Sequence, residues 1–136
     1  MANTAGAEFI EETTPENPFV LDWNGKNTFE KLQKLVSKSR NFTIRKDAFD
    51  VFKGNAFTDK LLNLISPETV IVYGVTTNVC VNDAVVGLAA RVQNVLVVED
   101  AIKELPNIPL PFENWKKMGV RMVLLSEVEK MLCAQS

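Results

Sequence analysis

Thr69-Val70-Ile71-Val72-Tyr73-Gly74-Val75-Thr76-Thr77-Asn78-Val79-Cys80 is the stretch whose reading decides the fold. Thr69 to Tyr73 is an apolar and β-branched run with no polar interruption. Such a run reads as a strand buried on both faces. Gly74 breaks it, and a helical pattern begins near Asn78 and continues to about residue 92. Cys80 therefore falls in the first turn of a helix that leaves the end of a central strand. The unpaired N–H groups of a helix N-terminus favour a thiolate, and they can hold an oxyanion formed in acyl transfer. A nucleophile elbow is one reading of this segment. The other is that Cys80 is a small buried hydrophobe, the usual fate of a lone cysteine.

Working outward, the chain has 136 residues, the length of one domain with room for a core. Its net charge is −2 and no basic run exceeds two residues, so a nucleic-acid or polybasic membrane contact is not expected. No apolar run has membrane-spanning length. Met1-Ala2-Asn3-Thr4-Ala5-Gly6 lacks the charged-then-apolar pattern of a signal peptide, so a cytoplasmic location is expected. Cys80 and Cys133 are too few and too far apart to suggest a disulfide framework. The sequence contains no histidine. That excludes Ser-His-Asp and Cys-His catalysis within it and argues against a zinc site. A nucleophile here needs a lysine or a carboxylate as its partner.

Strands and helices alternate along the rest. Phe19–Leu21 reads as a short strand after the turn signals at Pro15, Pro18 and Asn24-Gly25. Asn27 caps a helix whose apolar residues, Phe29, Leu32, Leu35 and Val36, recur at helical spacing. Phe42–Ile44 is a strand ending at Arg45-Lys46. Residues 47–57 read as loop and turn, anchored by Phe49, Phe52 and Phe57. Leu61, Leu62, Leu64 and Ile65 mark a helix stopped at Ser66-Pro67. Val95–Val98 is a doubly covered strand. Asp100–Pro111 is a proline-rich loop, and Asp100 is expected to cap or order it. Phe112–Met118 is helical, with Gly119 ending it. Val120–Leu125 is the last strand, and Ser126 with Glu129 forms a capping box. This order predicts an α/β domain spanning 1–136, a three-layer α-β-α arrangement around one mostly parallel sheet. Ligands in such folds bind beyond the carboxyl ends of the strands, where Lys46 and Cys80 both fall. Asn78 reads as an N-cap. Asn82 and Asp83 sit near the positive end of the helix dipole. Trp23 and Trp115 read as packing residues and Lys116-Lys117 as solvated surface.

Three segments carry a resemblance to a known family. Ile44-Arg-Lys-Asp-Ala-Phe-Asp-Val-Phe52 is similar to a lysine-bearing strand end with an aromatic loop. Tyr73-Gly-Val-Thr-Thr-Asn-Val-Cys-Val81 is similar to a nucleophile elbow. Val97-Val-Glu-Asp-Ala101 is similar to the next strand end. Together they resemble the isochorismatase-like cysteine hydrolases, which include the nicotinamidases, over nearly the whole chain. The resemblance implies a Rossmann-like fold in which Cys80 is the nucleophile. Lys46 would lie near the thiolate. Val75–Thr76 would be a cis peptide, with the N–H groups of Thr76 and Cys80 forming an oxyanion hole. Phe52 would line the substrate pocket.

The resemblance also implies something the residues do not supply. Family members begin with a central strand ending in a catalytic aspartate, and nicotinamidase-type members add an Asp and His metal cluster. Gly6-Ala-Glu, with Glu12-Thr13, resembles the segment that follows all of this. None of Asp47, Asp50, Asp83 or Asp100 stands at the motif position of that aspartate. The expected form is thus an N-terminally truncated domain with exposed strand edges, no metal and no cofactor. The implied activity is hydrolysis of an amide C–N bond of a small molecule through a covalent Cys80 intermediate, in a homo-oligomer. The alternative is an impaired relative acting as a binding or assembly subunit.

Overall fold

The computed structural model describes residues 11, 14–25 and 29–134. The expected cap at Asn27, and the Gly6–Glu8 and Glu12–Thr13 segments, lie outside them. In chain order the elements are β1 (Phe19–Leu21), α1 (Phe29–Lys38), β2 (Phe42–Ile44), α2 (Val51–Gly54), α3 (Phe57–Ile65), β3 (Thr69–Val75), a wide turn at Thr77–Val81, α4 (Asn82–Ala89), β4 (Asn94–Lys103), α5 (Phe112–Lys117), β5 (Arg121–Val123) and α6 (Leu125–Ala134). This is an α/β fold in which every strand pairing is parallel.

β4 is the spine. Val95 and Val97 enter a core with Val81, Val85 and Trp115 on one face, whereas Leu96 and Val98 enter a second core with Val123 and Val128 on the other. A strand covered on both faces needs apolar side chains at every position, not at alternate ones. That is why Val95–Val98 is continuous in the sequence. α4 and α5 thus cover one face and α6 the opposite one. Trp115 is completely buried, and its indole N–H donates to Asn82 Oδ1 at 2.8 Å, so the polar atom of the largest core residue is satisfied.

The single sheet expected from the sequence is instead two sheets among the described residues, β1-β2 and β3-β4-β5. β3 therefore pairs along one edge only, and its burial shows the consequence: Val70, Ile71 and Val72 are half-buried, while Tyr73 and Val75 are 68% and 71% exposed. α3 links the halves. Its Leu61 packs with Leu21, Leu32 and Phe57 of the smaller core, and its Leu62 packs against the β3–β4 core. Between the halves lies an apolar cavity of about 210 Å³ whose lining includes Ile44, Phe52, Leu62 and Leu88.

Several boundaries differ from the sequence reading, each for a local reason. Residues 47–57 are not all loop, because Asp50 accepts the Phe52 N–H at 2.9 Å and starts α2. Phe57 is buried but Phe49 is 69% exposed and anchors nothing. β4 runs on to Lys103, since Gly74 and Val75 resume pairing at Ile102 and Lys103 after a register shift beyond Val72. α6 begins two residues early: Leu124 N–H donates to Glu127 Oε1, so the back-reaching side chain is Glu127 and not Glu129, and Leu124 offers no side-chain acceptor in return. Asp100 accepts from Leu125 N–H at 2.9 Å and caps α6, not the proline-rich loop. Ser66 does end α3, in a left-handed conformation with φ 47°, and Gly119 follows α5 at φ 82°.

The smaller sheet is pinned by Asn55, 1% exposed. Its Nδ2 donates to Leu21 O and Arg45 O at 3.0 and 2.8 Å, and its Oδ1 accepts from Phe57 N–H at 2.9 Å. Two strand ends and the start of α3 thus share one amide.

Trp115→Ala is expected to destabilise the fold by about 3–5 kcal/mol, through cavity formation and the loss of the Asn82 bond. Leu132→Ala, at an exposed position of α6, should stay within about 0.5 kcal/mol. Urea midpoints at constant slope measure both.

Candidate active site

The segment after β3 is built by an unusual turn. Thr76 O accepts from Val79 N–H at 3.1 Å and from Val81 N–H at 3.0 Å, and Cys80 lies between these two donors. The second bond spans five residues and makes the turn wider than an α-helical one. α4 proper starts only at Asn82, so the predicted helix of 79–92 is a wide turn followed by a shorter helix. Gly74 enters the turn at φ +119°, a conformation that side chains rarely adopt. The Val75–Thr76 peptide bond is cis. Cys80 is partly exposed at the carboxyl end of β3, while Cys133 is exposed on α6.

Lys46 stands beyond the carboxyl end of β2. Its ammonium donates to the carbonyls of Ala48 and Phe49, 3.0 and 2.5 Å away, both in its own loop. Its described bonds thus fix it to that loop and not to the elbow. The backbone there is tight, since a Cβ on Gly54 would come within 2.9 Å of Lys46 Cβ.

Phe52 is on α2 and packs flat against α4. A Cβ at Gly87 would fall 2.3 Å from the ring, and the Arg91 guanidinium lies 4.2 Å from its centroid. Asp59 holds that guanidinium at 2.6 Å. Phe52 lines the apolar cavity between the sheets, and also a groove shared with Asn82 and Asp83 at the start of α4. α2 and α4, the helices that follow β2 and β3, therefore meet.

Asn78 does not cap a helix. It is 8% exposed, and its Nδ2 donates to Leu105 O and Ile108 O at 2.9 and 3.0 Å. Its Oδ1 accepts from Leu105 N–H at 3.0 Å. The amide thus serves the proline-rich segment, where Pro106, Pro109 and Pro111 bring no N–H of their own. Thr77 is completely buried, and its hydroxyl has no partner among the described residues. Sequence reasoning missed Asn55 entirely and gave Asn78 the wrong task, because their partners lie 10 to 34 residues away.

The metal cluster of nicotinamidase-type members has no counterpart in this donor set. The sequence has no histidine, and no three acidic or thiol side chains gather at ligating distance among the described residues. No chemistry is assigned to a metal here.

The fold is parallel α/β, with a cysteine in the turn that leaves a strand end. The isochorismatase domain matches residues 9–122, and this chain belongs to that family. No curated protein matches it in sequence. Solved structures do match in fold. The N-carbamoylsarcosine amidase of Thermoplasma acidophilum is 22% identical at a TM-score of 0.52, over 63% of this chain and 50% of that one. The pyrazinamidase/nicotinamidase of Streptococcus mutans UA159 is 22% identical at 0.51, over 69% and 53%. The nicotinamidase of Staphylococcus aureus is 20% identical at 0.52, over 76% and 70%. This chain thus spans about half the length of the first two structures.

Gly74→Ala is expected to cost about 1–3 kcal/mol, because the native φ strains any Cβ-bearing residue even though nothing crowds the added methyl. Chemical denaturation checks the size. Recovery of full stability by Gly74→Asn, whose side chain tolerates positive φ, would instead locate the strain in the left-handed helical region.

Proposed function

We propose that this chain is a cysteine amidohydrolase, cleaving the amide C–N bond of a small molecule through a thioester on Cys80. The observation that carries this reading is the position of Cys80: partly exposed, in a wide turn at the carboxyl end of β3, in a chain of the isochorismatase family. The Cys80 thiolate attacks the carbonyl carbon, forming a C–S bond. The N–H groups of Thr76 and Cys80 hold the resulting oxyanion. Collapse breaks the C–N bond, and the nitrogen leaves carrying the proton that the thiol gave up. Water then cleaves the thioester to a carboxylate and regenerates the thiol. The resemblance assigns Lys46, beyond the carboxyl end of β2, to the surroundings of the nucleophile, and Phe52 contributes an apolar wall for the substrate. The amidase and nicotinamidases among the similar solved structures accord with this substrate class. A cytoplasmic location belongs to the same proposal; among the described residues no helix is long and apolar enough to cross a membrane.

The departing nitrogen needs a proton donor. The resemblance assigns it to an aspartate on a strand that precedes these residues, and no aspartate here holds that motif position. A binding or assembly role is the alternative, and the edge of β3 left unpaired among the described residues, with exposed Tyr73 and Val75, favours it. The same apolar edge supports a homo-oligomer in solution.

The test is an intact-mass time course with nicotinamide and a panel of small amides, comparing the wild type with Cys80→Ala. Product that disappears in Cys80→Ala is expected. An acyl adduct on Cys80 without turnover identifies a retained nucleophile without its acid-base partner. Neither adduct nor product across the panel supports the binding or assembly role. Sedimentation as a clean monomer at micromolar concentration would count against the oligomer.

A further inference from the structure

Two residues before Cys80, one buried amide makes three hydrogen bonds to a segment 27 to 30 residues away. Asn78 spends both donors and its acceptor on Leu105 and Ile108, and it lies in the same turn as Cys80. The β3–β4 register brings Lys103 beside Val75, so segment 104–111 starts where the elbow starts. Its apolar residues Leu105, Ile108 and Leu110 are 47%, 41% and 52% exposed. A segment with three prolines cannot close on itself through its own N–H groups at those positions. Asn78 supplies the missing pairing from the elbow side.

We propose that Asn78 is a positioning residue that clamps segment 104–111 beside the Cys80 thiol and so sets the size of molecule that reaches it. The proposal deepens the Cys80 reading but concerns access to the thiol, which is measurable without turnover. Asn78 touches no reacting atom. It acts through the segment it holds, and the clamp needs both amide donors: an aspartate at this position would set negative charge against two carbonyl oxygens.

The experiment measures the rates at which iodoacetamide and the bulkier N-phenylmaleimide label Cys80, read by peptide mass, with exposed Cys133 as the internal control. It compares wild type, Asn78→Ala and Asn78→Asp at neutral pH. It adds the double variant Pro106→Gly/Pro109→Gly, which loosens the segment without touching the elbow. In all three variants the maleimide rate at Cys80 should rise by about tenfold or more, the scale of one net hydrogen bond lost. The iodoacetamide rate should change by less than about twofold, and the Cys133 rates should not move. Equal acceleration of both reagents, or no change in either, overturns the clamp. If Asn78→Ala fails to fold, the proline variant decides alone by the same criterion. Absence of amide turnover would remove the catalytic reading and leave this result standing. Turnover with unchanged size selectivity in the variants would remove the clamp and leave catalysis standing.

Discussion

Two buried asparagine side chains hold together the end of this fold where ligands would bind. Asn55 joins the ends of β1 and β2 to the start of α3, and Asn78 joins the elbow to the segment after β4. Parallel strands end in backbone groups that no ladder satisfies, and a buried unpaired carbonyl is costly. A planar amide, with two donors and an acceptor on a short stem, can satisfy three such groups from different segments at once. Where these amides sit, irregular backbone becomes fixed backbone. Asn78 does this within the turn that carries Cys80.

The apolar framework sets where those ends can be. β4 divides its side chains between two cores, so helices are drawn to both faces and every strand connection must cross over. That arrangement puts β3 beside β4 and leaves the other edge of β3 unpaired among the described residues. β1 and β2 form a separate pair, with α3 and a small apolar cavity between the halves. The partial burial of Val70–Val72 is the physical signature of a strand whose sequence suits a centre and whose position is an edge. Apolar edge strands in general attract further pairing.

Much of the candidate site was legible before any coordinates. The Thr69–Tyr73 run, the break at Gly74 and the cysteine after it marked a strand-end elbow. The lysine just past Phe42–Ile44 marked a second strand end. These features follow from hydrophobic periodicity and turn chemistry, which act over a few residues. The boundaries that moved were settled by side chains reaching across the fold or just past an expected cap. Asp50 turned loop into α2, and Glu127 shifted the start of α6. Asp100 left its own loop to cap a helix 25 residues on.

Sequence alone determined the α/β alternation, the doubly buried β4 and the placing of Cys80 and Lys46 beyond strand ends, because burial pattern and chain punctuation are local. Only the tertiary structure decided that the strands form two sheets, that Phe52 packs on α4 under Arg91, and that Asn78 binds Leu105 and Ile108. An asparagine can cap a helix, stabilise a turn or bridge distant backbone with the same three hydrogen-bonding groups. Which of these it does depends on what the packed core brings within about 3 Å of it, and no short stretch of sequence carries that distance.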